Sequence, residues 1–327
     1  MKEIATREAV GQALCHDIVR IVIGQTKETA FKRGHVIRQE DVAVLESLGK
    51  EHVYVLEESD GDLLHEEDVA RALYEMAGGQ GLSASDVNQG RIDAIADFDG
   101  LLKVDVDLLT AINSVGQLTI VTKWNHTPVK AGDKVAGMRC IPLMLDRREV
   151  EEAQALAGDK KVLSIKPFVR KTVGVVTTGS EVFKGRIEDA FTPIIKDRCA
   201  AYGMEVVAHE IVPDDTDKIV AAIEAMKAKQ VDIIFCTGGM SVDPDDLTPG
   251  AIKRAADRVV TYGLPVLPGS MVCIAYAADG TPIVGLPGGV LFGSPTAFDA
   301  ILPRLAADDP ITKEECIAMG HGGFMGK

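Results

Sequence analysis

The chain has 327 residues, is 46% hydrophobic and carries a formal net charge of −14, with 49 acidic against 35 basic residues. This length is enough for two or three domains with a large buried core. The acidic balance argues against nucleic-acid binding, which needs basic side chains to neutralise phosphates. The sequence has no long apolar run of a signal peptide or a membrane span, and its six cysteines are scattered without a CxxC pair. We therefore expect a cytoplasmic protein with reduced thiols and no membrane partner.

The first half of the chain predicts two smaller segments. Residues 1–57 are predicted to form a small α+β unit, with strands in GQALCHDIVRIV and HVYVLE and a helix in RQEDVAVLESLG. Residues 58–170 are predicted to be a mixed segment with a β-rich end. In this segment HEEDVARALYEMAGG is a predicted helix that Gly78 and Gly79 would end, and LDRREVEEAQALAGDKK is a predicted helix before a linker.

Residues 171–327 alternate between strand and helix patterns. The predicted strands are TVGVVTTG, MEVVAHEIV, VDIIFCTGG, VCIAYA and PIVGLPG. The predicted helices are RIEDAFTPIIKDRCAAYG, DTDKIVAAIEAMKAKQ, LTPGAIKRAADRV and TAFDAILPRLAA. Such alternation favours an α/β fold, a three-layer α/β/α domain with a mostly parallel sheet.

Four unusual loops, TTGSEV, VPDDT, TGGMSVDPDD and GLPGGV, each follow a predicted strand. The carboxyl ends of parallel strands meet at one edge of a sheet, and ligands bind there in open α/β sheets. The loops therefore predict one binding site built from distant parts of the chain. The first strand is followed by TTGSEV without the GxGxxG spacing, which disfavours a dinucleotide-binding dehydrogenase.

The segments TTGSEV, VPDD, TGGMSVDPDDLTP, LPGSM and GLPGG occur in an order that resembles the molybdopterin-binding domains of molybdenum cofactor biosynthesis (MogA/MoeA type). The resemblance covers about residues 170–305. It implies that the ligand is molybdopterin or its adenylylated form, handled with Mg²⁺ and with ATP or its AMP moiety and molybdate as further reactants.

The resemblance also implies roles for individual residues. It implies catalytic carboxylates at Asp214, Asp246 and Glu181 and a metal site at Asp246, and the extra acid Asp243 on the same loop is expected as a further metal ligand. It implies substrate contacts from three loops, at Thr178, Gly179, Ser180, Gly238, Gly239, Ser241, Pro287, Gly288 and Gly289.

Physical chemistry gives a reason for acidic residues beside a glycine-rich turn. Carboxylates alone would repel a phosphate, but Mg²⁺ binds one or two carboxylates together with phosphate oxygens. Glycines let backbone N–H groups approach the phosphate without interference from a Cβ atom. The metal and the backbone would supply the positive potential that the side chains lack.

The chain departs from the family pattern at three positions. Phe191 stands where the family often has Asn, the pair Gly289-Val290 stands where it often has Asn-Pro after GLPG, and Asp243 stands where it often has Gly. The acids of the PDD and DPDD loops also have another explanation, because carboxylates stabilise helix N-termini as caps.

Three functions remain open from the sequence. The expected one is a molybdopterin molybdotransferase. A molybdopterin adenylyltransferase is the enzymatic alternative, and a non-catalytic molybdopterin carrier, storage protein or sensor is the alternative of another class. The sequence also leaves the oligomeric state open, and a homo-oligomer is one of the alternatives.

Overall fold

The computed structural model of the chain describes residues 2–22, 26–55, 62–291 and 293–325. It divides into two compact units. The N-terminal unit comprises residues 1–97, 104–125 and 131–164, and the C-terminal unit comprises residues 98–103, 126–130 and 165–327. The predicted boundary at residue 57 lies outside the described residues, and the division into residues 1–57, 58–170 and 171–327 stays a prediction.

The described part up to residue 167 consists of short strands and four helices. The strands are β1 Lys2–Ala5, β2 Ile18–Val22, β3 Thr26–Phe31, β4 His52–Val55, β5 Leu63–His65, β6 Leu82–Ala84, β7 Ile92–Ala96, β8 Gly100–Val104, β9 Leu118–Thr122, β10 Pro128–Val129, β11 Lys134–Cys140, β12 Met144–Asp146 and β13 Leu163–Pro167. The helices are α1 Gln39–Ser47, α2 Glu66–Ala77, α3 Val106–Asn113 and α4 Arg147–Ala157.

The predicted helices of this half are confirmed as α1, α2 and α4, whereas β7, β8 and α3 were not predicted. The largest sheet here has four antiparallel strands in the order β6-β7-β11-β9. Helix α2 ends at Gly78, as predicted. Across the described ranges, no helix combines the length and the apolarity that crossing a bilayer requires.

The rest of the chain alternates strands with helices. The strands are β14 Thr172–Thr178, β15 Glu205–Val212, β16 Ile233–Thr237, β17 Arg258–Tyr262, β18 Cys273–Tyr276 and β19 Pro282–Leu286. The helices are α5 Ser180–Phe183, α6 Phe191–Ala200, α7 Thr216–Ala228, α8 Thr248–Ala255, α9 Ala297–Ala306 and α10 Lys313–Ala318, and a 3-10 turn covers Gly288–Leu291.

These strands form one six-stranded sheet in the order β15-β14-β16-β19-β18-β17. The first four strands of this order are parallel, and β18 and β17 are antiparallel at the far edge. The predicted mostly parallel α/β sheet is therefore confirmed. Strand β16 lies in the interior of the sheet and every residue of it is buried, which explains its almost wholly apolar sequence.

Alternate residues of the strands face two separate cores. Phe235 of β16 packs with Ile195 of α6 and Phe298 of α9 on one face. Cys236 packs with residues of α7 and α8 on the other face, such as Ile223. Helices cover both faces of the sheet, as predicted, so the four parallel strands are held in fixed positions and their carboxyl ends share one edge.

Two predicted helices are shorter than their apolar patterns indicate. Helix α6 begins at Phe191, and Ile187, which the pattern placed inside it, is 57% exposed. Helix α8 ends at Ala255, and the predicted helical segment AADRVV instead leads into strand β17, which pairs with β18. Asp189 stabilises the later start of α6 through backbone hydrogen bonds, and the pairing of β17 with β18 outweighs the helical pattern after α8.

Candidate functional site

The structure brings the predicted site residues to one edge of the six-stranded sheet. Strands β14, β15, β16 and β19 are parallel and end at Thr178, Val212, Thr237 and Leu286, so the loops that follow them leave the same edge. We call this the ligand-binding edge, and it carries Thr178, Gly179, Ser180, Glu181, Asp214, Gly238, Gly239, Ser241, Asp243, Asp246, Pro287, Gly288 and Gly289.

The first two loops are joined by Asp214. Its Oδ2 accepts a hydrogen bond of 2.8 Å from the backbone N–H of Ser180, the first residue of α5. The neighbouring Asp215 has a different role, because it is the N-cap of α7 and accepts from the backbone N–H of Lys218 at 3.1 Å. The two adjacent acids are therefore distinguished: Asp215 caps the helix, and Asp214 reaches across to the first loop.

The third loop packs against the end of the first strand. Gly238 and Gly239 have φ values of +85° and +51°, which favour glycine. A Cβ atom on Gly238 would lie 2.1 Å from the backbone oxygen of Thr178, and one on Gly239 would lie 3.1 Å from Oγ1 of Thr248. Only glycine fits at residue 238 without movement of the backbone, so this close approach accounts for the paired glycines.

Hydroxyl groups strengthen the same contact. Oγ1 of Thr178 and Oγ1 of Thr248 are 2.9 Å apart and buried, and the backbone N–H of Thr248 donates to the oxygen of Gly239 at 3.2 Å. Thr248 is not among the site residues predicted from the sequence. A threonine directly after an acidic turn and at the start of a helix is a weak signal, because such residues are common as caps.

Asp246 lies on the turn between the two glycines and α8. Its backbone N–H donates to the oxygen of Asp243 at 2.9 Å, and its Oδ1 is 3.6 Å from the position of a Cβ atom on Gly239. The N-cap residue of α8 is Leu247, without a side-chain hydrogen bond. The capping explanation for Asp246 is therefore wrong, and its partly exposed carboxylate is placed beside the glycine turn.

The remaining acids of the predicted site are more exposed. Asp243 and Glu181 are exposed, as is Asp245 beside Asp246, and Glu181 lies in the first turn of α5. Tyr262 supports the acidic turn from β17, since its hydroxyl donates to the backbone oxygen of Met240 at 2.9 Å. Burial raises the pKa of Tyr262, and the nearby Cys273 and Asp246 raise it further, so the phenol remains a donor at neutral pH.

The fourth loop has one open glycine and one close contact. Nothing lies within 4 Å of a Cβ atom on Gly288, whereas one on Gly289 would lie 3.1 Å from the backbone nitrogen of Gly269. Val290 is 1% exposed and packs in the core on the α6 and α9 face. The departure at residue 290 therefore places a core side chain, and Gly288 remains open toward solvent.

A partly buried polar cluster that was not predicted from the sequence joins β14, β15 and the start of α6. Asp189 accepts from the backbone N–H groups of Phe191 and Thr192 at 2.8 and 3.2 Å, so it stabilises the start of α6. It also accepts from the hydroxyl of Thr177 at 3.1 Å and lies 3.2 Å from Nε2 of His209. Burial acts to raise the pKa of Asp189, but these hydrogen bonds, led by the one from Thr192, lower it below its usual value.

Phe191, the first of the departures, packs against this same region. It is the first residue of α6, is partly buried and contacts the core on the α6 and α9 face. The nearby Asp189 holds the helix N-terminus through backbone hydrogen bonds that any residue except proline can make at position 191. The side chain of Phe191 therefore serves packing in this structure.

A magnesium ion fits these residues only if phosphate oxygens and water supply most of its ligands. Within the parts of the chain that the structure describes, no group of three or more His, Cys, Asp or Glu side chains is arranged to hold a metal ion. Mg²⁺ needs only one or two carboxylates when phosphate oxygens and water complete its shell. Asp246 fits as such a carboxylate, and Asp243 is exposed on the same turn.

Comparison with known proteins finds two family matches along the chain. Residues 174–307 match the family model described as a probable molybdopterin binding domain. Residues 3–57 match a family model for a domain of unknown function. The resemblance drawn from the loops is therefore confirmed for this C-terminal part of the chain.

Individual relatives match shorter or less similar stretches. The molybdopterin molybdenumtransferase of Synechococcus elongatus is 24% identical over 222 residues, which are 65% of this chain and 54% of that protein. A CinA-like protein of Desulfosudis oleivorans is 39% identical over 84 residues, which are 26% of this chain and 20% of that protein. The solved structure of the molybdopterin biosynthesis enzyme MoaB of Thermus thermophilus is 27% identical and covers 43% of this chain and 98% of that chain, with a TM-score of 0.37. The chain thus spans 20% to 54% of the length of these two curated relatives.

Proposed function

We propose that this chain, whose residues 174–307 match the molybdopterin-binding domain family, binds molybdopterin or its adenylylated form at the ligand-binding edge. We further propose that it acts in molybdenum cofactor biosynthesis in the cytoplasm. The observation that carries the proposal is the convergence of a glycine turn, Gly238 and Gly239, with the carboxylate of Asp246 3.6 Å from the Cβ position of Gly239. A phosphate-bearing ligand suits this arrangement, because backbone donors and an acid lie side by side.

The glycine turn is proposed to bind the terminal phosphate of the pterin. Backbone N–H groups in a turn with positive φ values form a concave donor surface that suits an anion. Gly288, on the fourth loop, has open space above it and is proposed to contact the pterin end of the ligand. The phosphate and the pterin would then be held by loops from different strands, which fixes their orientation.

Asp246 is proposed to hold Mg²⁺ together with the ligand phosphate. The ion would supply charge neutralisation at the phosphate oxygens when it is bound. The contribution of this chain is to keep the carboxylate of Asp246 at a fixed distance from the glycine turn through the backbone hydrogen bond to Asp243. Asp214 is proposed to fix the first loop, because its carboxylate is bonded to the backbone of Ser180.

The proposed reaction is molybdenum transfer to the pterin, with adenylyl transfer as the alternative. The first is favoured by the relative in Synechococcus elongatus, whose name is molybdopterin molybdenumtransferase and whose match extends over 65% of this chain. Two incubations of the purified protein with Mg²⁺, one with adenylylated molybdopterin and molybdate and the other with molybdopterin and ATP, followed by identification of the products, test the choice. Molybdenum-loaded pterin from adenylylated molybdopterin supports transfer, and adenylylated molybdopterin from ATP supports the alternative.

A non-catalytic carrier, storage protein or sensor is the second candidate. The departures at Phe191 and Val290 favour it, because both side chains pack with the core on the α6 and α9 face, at places where the family often has Asn and an Asn-Pro pair. A protein that binds molybdopterin and forms neither product with any divalent cation would support this candidate over both enzymatic ones.

A further inference from the structure

Arg198 joins both ends of the segment that connects β19 with α9. From its position in α6, its Nη2 donates to the backbone oxygens of Gly293 at 2.6 Å and Val290 at 3.4 Å. Its Nη1 donates to Oδ2 of Asp299 at 2.7 Å and to Oγ1 of Thr296 at 3.2 Å. One guanidinium therefore contacts the segment directly after the fourth loop and again at the start of α9.

The surroundings of Arg198 fix its position. Its side chain is only 16% exposed, and the guanidinium lies 5.7 Å from the ring centre of Phe298. Asp299 completes a capping box with Thr296, whose backbone N–H donates to the same carboxylate at 2.6 Å. The positive charge of Arg198 is thus opposed by Asp299, and both terminal nitrogens are occupied by contacts within the protein.

The four loops of the ligand-binding edge are held in different ways. Asp214 joins the second loop to the first through Ser180, and Thr248 joins the third loop to the first through Thr178. The fourth loop, in contrast, is held from α6 through the carbonyl of Val290, the residue after Gly289. Arg198 is therefore a side chain outside the other three loops that contacts the backbone of the fourth loop, beside the core packing of Val290.

We propose that Arg198 is a positioning residue for ligand binding: it holds the Gly288–Gly289 turn where the turn closes on a pterin bound at the other three loops. This inference rests on the proposed function. An arginine suits the task, because its planar fork has several donors in fixed directions, whereas the ammonium of a lysine is a point charge on a flexible stem. Its role is indirect, since its donors are used by the loop.

Two variants and a matched control test the inference. Arg198→Met keeps much of the side-chain length and removes every donor, and Arg198→Lys keeps the charge. Arg170 provides the control, because it is 14% exposed, pairs with Asp308 at 2.7 Å and donates to the backbone oxygens of Asp232 and Gly280. Arg170→Met therefore removes an equivalent set of contacts, at residues that the ligand-binding edge does not include.

The first measurement is amide hydrogen exchange in peptides that cover residues 287–300, in the full chain without ligand. Arg198→Met is expected to exchange faster there, and Arg170→Met is expected to match the wild type in this segment. The second measurement is molybdopterin affinity by fluorescence. We expect about a tenfold weaker Kd for Arg198→Met, an intermediate value for Arg198→Lys and an unchanged value for Arg170→Met at a similar loss of melting temperature.

Each outcome decides one part of the inference. If residues 287–300 of Arg198→Met exchange at the wild-type rate, Arg198 does not hold the fourth loop in position, whether or not pterin binds. Faster exchange with wild-type affinity overturns the link to ligand binding. A wild-type protein that binds no molybdopterin contradicts the proposed function and that link with it, while the exchange measurement still decides whether Arg198 holds the loop.

Discussion

The hydroxyl oxygens of Thr178 and Thr248 lie 2.9 Å apart, in side chains that are 3% and 0% exposed. Thr178 ends the first parallel strand and Thr248 begins α8, so this hydrogen bond ties the first loop to the third. Buried hydroxyls are costly when they lose their partner, which makes the pair a sensitive test of how the ligand-binding edge is held together.

Thr248→Val is expected to destabilise the fold by about 1–3 kcal/mol, because the hydroxyl of Thr178 loses its partner while the shape of the side chain is kept. Urea denaturation of Thr248→Val, Thr178→Val and the double variant measures this. The double variant should cost less than the sum of the two single changes, since it leaves neither hydroxyl behind. Strictly additive costs would show that the two hydroxyls do not interact.

The two glycine loops are expected to respond differently to alanine. Gly238→Ala should lower the melting temperature, because the new Cβ would lie 2.1 Å from the backbone oxygen of Thr178 at a φ of +85°. Gly288→Ala should leave the melting temperature nearly unchanged, because nothing lies within 4 Å of its Cβ, and should weaken molybdopterin binding. Equal affinity in Gly288→Ala and wild type would remove the fourth loop from the binding site.

Substitutions of the adjacent acids Asp214 and Asp215 are expected to differ in effect: loss of Asp215 lowers stability, and loss of Asp214 weakens binding. Asp215→Ala removes the N-cap of α7 and should cost about 1 kcal/mol without a change in pterin affinity. Asp214→Ala removes the acceptor of the Ser180 N–H, so it should loosen the first loop and weaken binding by about tenfold. Chemical denaturation and fluorescence titration of both variants make the test. The reverse assignment of effects would contradict the roles given to the two acids.

Asp246→Asn is expected to reduce turnover by about a hundredfold while the fold is kept. The carboxylate is partly exposed and does not cap α8, so an amide of the same shape has little effect on packing. Product formation with Mg²⁺ and a thermal melt measure the two effects, and Asp245→Asn, at an exposed neighbour, is the control. Normal turnover in Asp246→Asn would exclude the proposed role in holding Mg²⁺.

The stability of the C-terminal unit is expected to fall as the pH is lowered from about 6.5 toward 5. Burial, followed by the charges of Arg304 and Lys103, lowers the pKa of His126 to about 4. Between that value and the ordinary histidine pKa, the unfolded chain binds a proton that the folded chain does not. Lower pH therefore favours unfolding, by at most roughly 1.4 kcal/mol per pH unit for one such group.

His126→Asn tests this pH dependence. Asparagine tolerates the φ of +66° at residue 126 and does not titrate. The free energy of unfolding of this variant, from urea denaturation at pH 6.5 and pH 5, should change less between the two pH values than that of the wild type. His321→Asn, at an exposed position, is the control. The same pH dependence in His126→Asn and wild type would assign the effect to other groups.

The local sequence pattern predicted the parallel strands and the loops after them, because apolar runs and glycine-rich turns are signals within a few residues. It also predicted a cap for α7 at Asp215 or Thr216 and a role in the binding site for Asp214. The structure separates them through Ser180, a residue 34 positions away from Asp214. Contacts of that range leave no trace in the local pattern.

The same limit explains what the sequence missed. Arg198 lies within a predicted helix, where the sequence does not distinguish it from any other polar helix residue. Its hydrogen-bond partners are 92 to 101 positions away along the chain. The start of α6 was predicted too early because Ile187 continues the apolar spacing, yet Asp189 holds the helix N-terminus four residues before Pro193. Side chains that act across the fold become visible only when the strands are placed side by side.

The most direct test of the account is hydrogen exchange of the full chain with and without molybdopterin and Mg²⁺. Slower exchange is expected at the backbone of residues 178–181, 238–241 and 287–290 when molybdopterin is added, since these loops are proposed to enclose it. Asp246→Asn should lose the part of this protection that depends on Mg²⁺. Protection that appears only in the N-terminal unit, or no protection at saturating molybdopterin, would contradict the ligand-binding edge as the site.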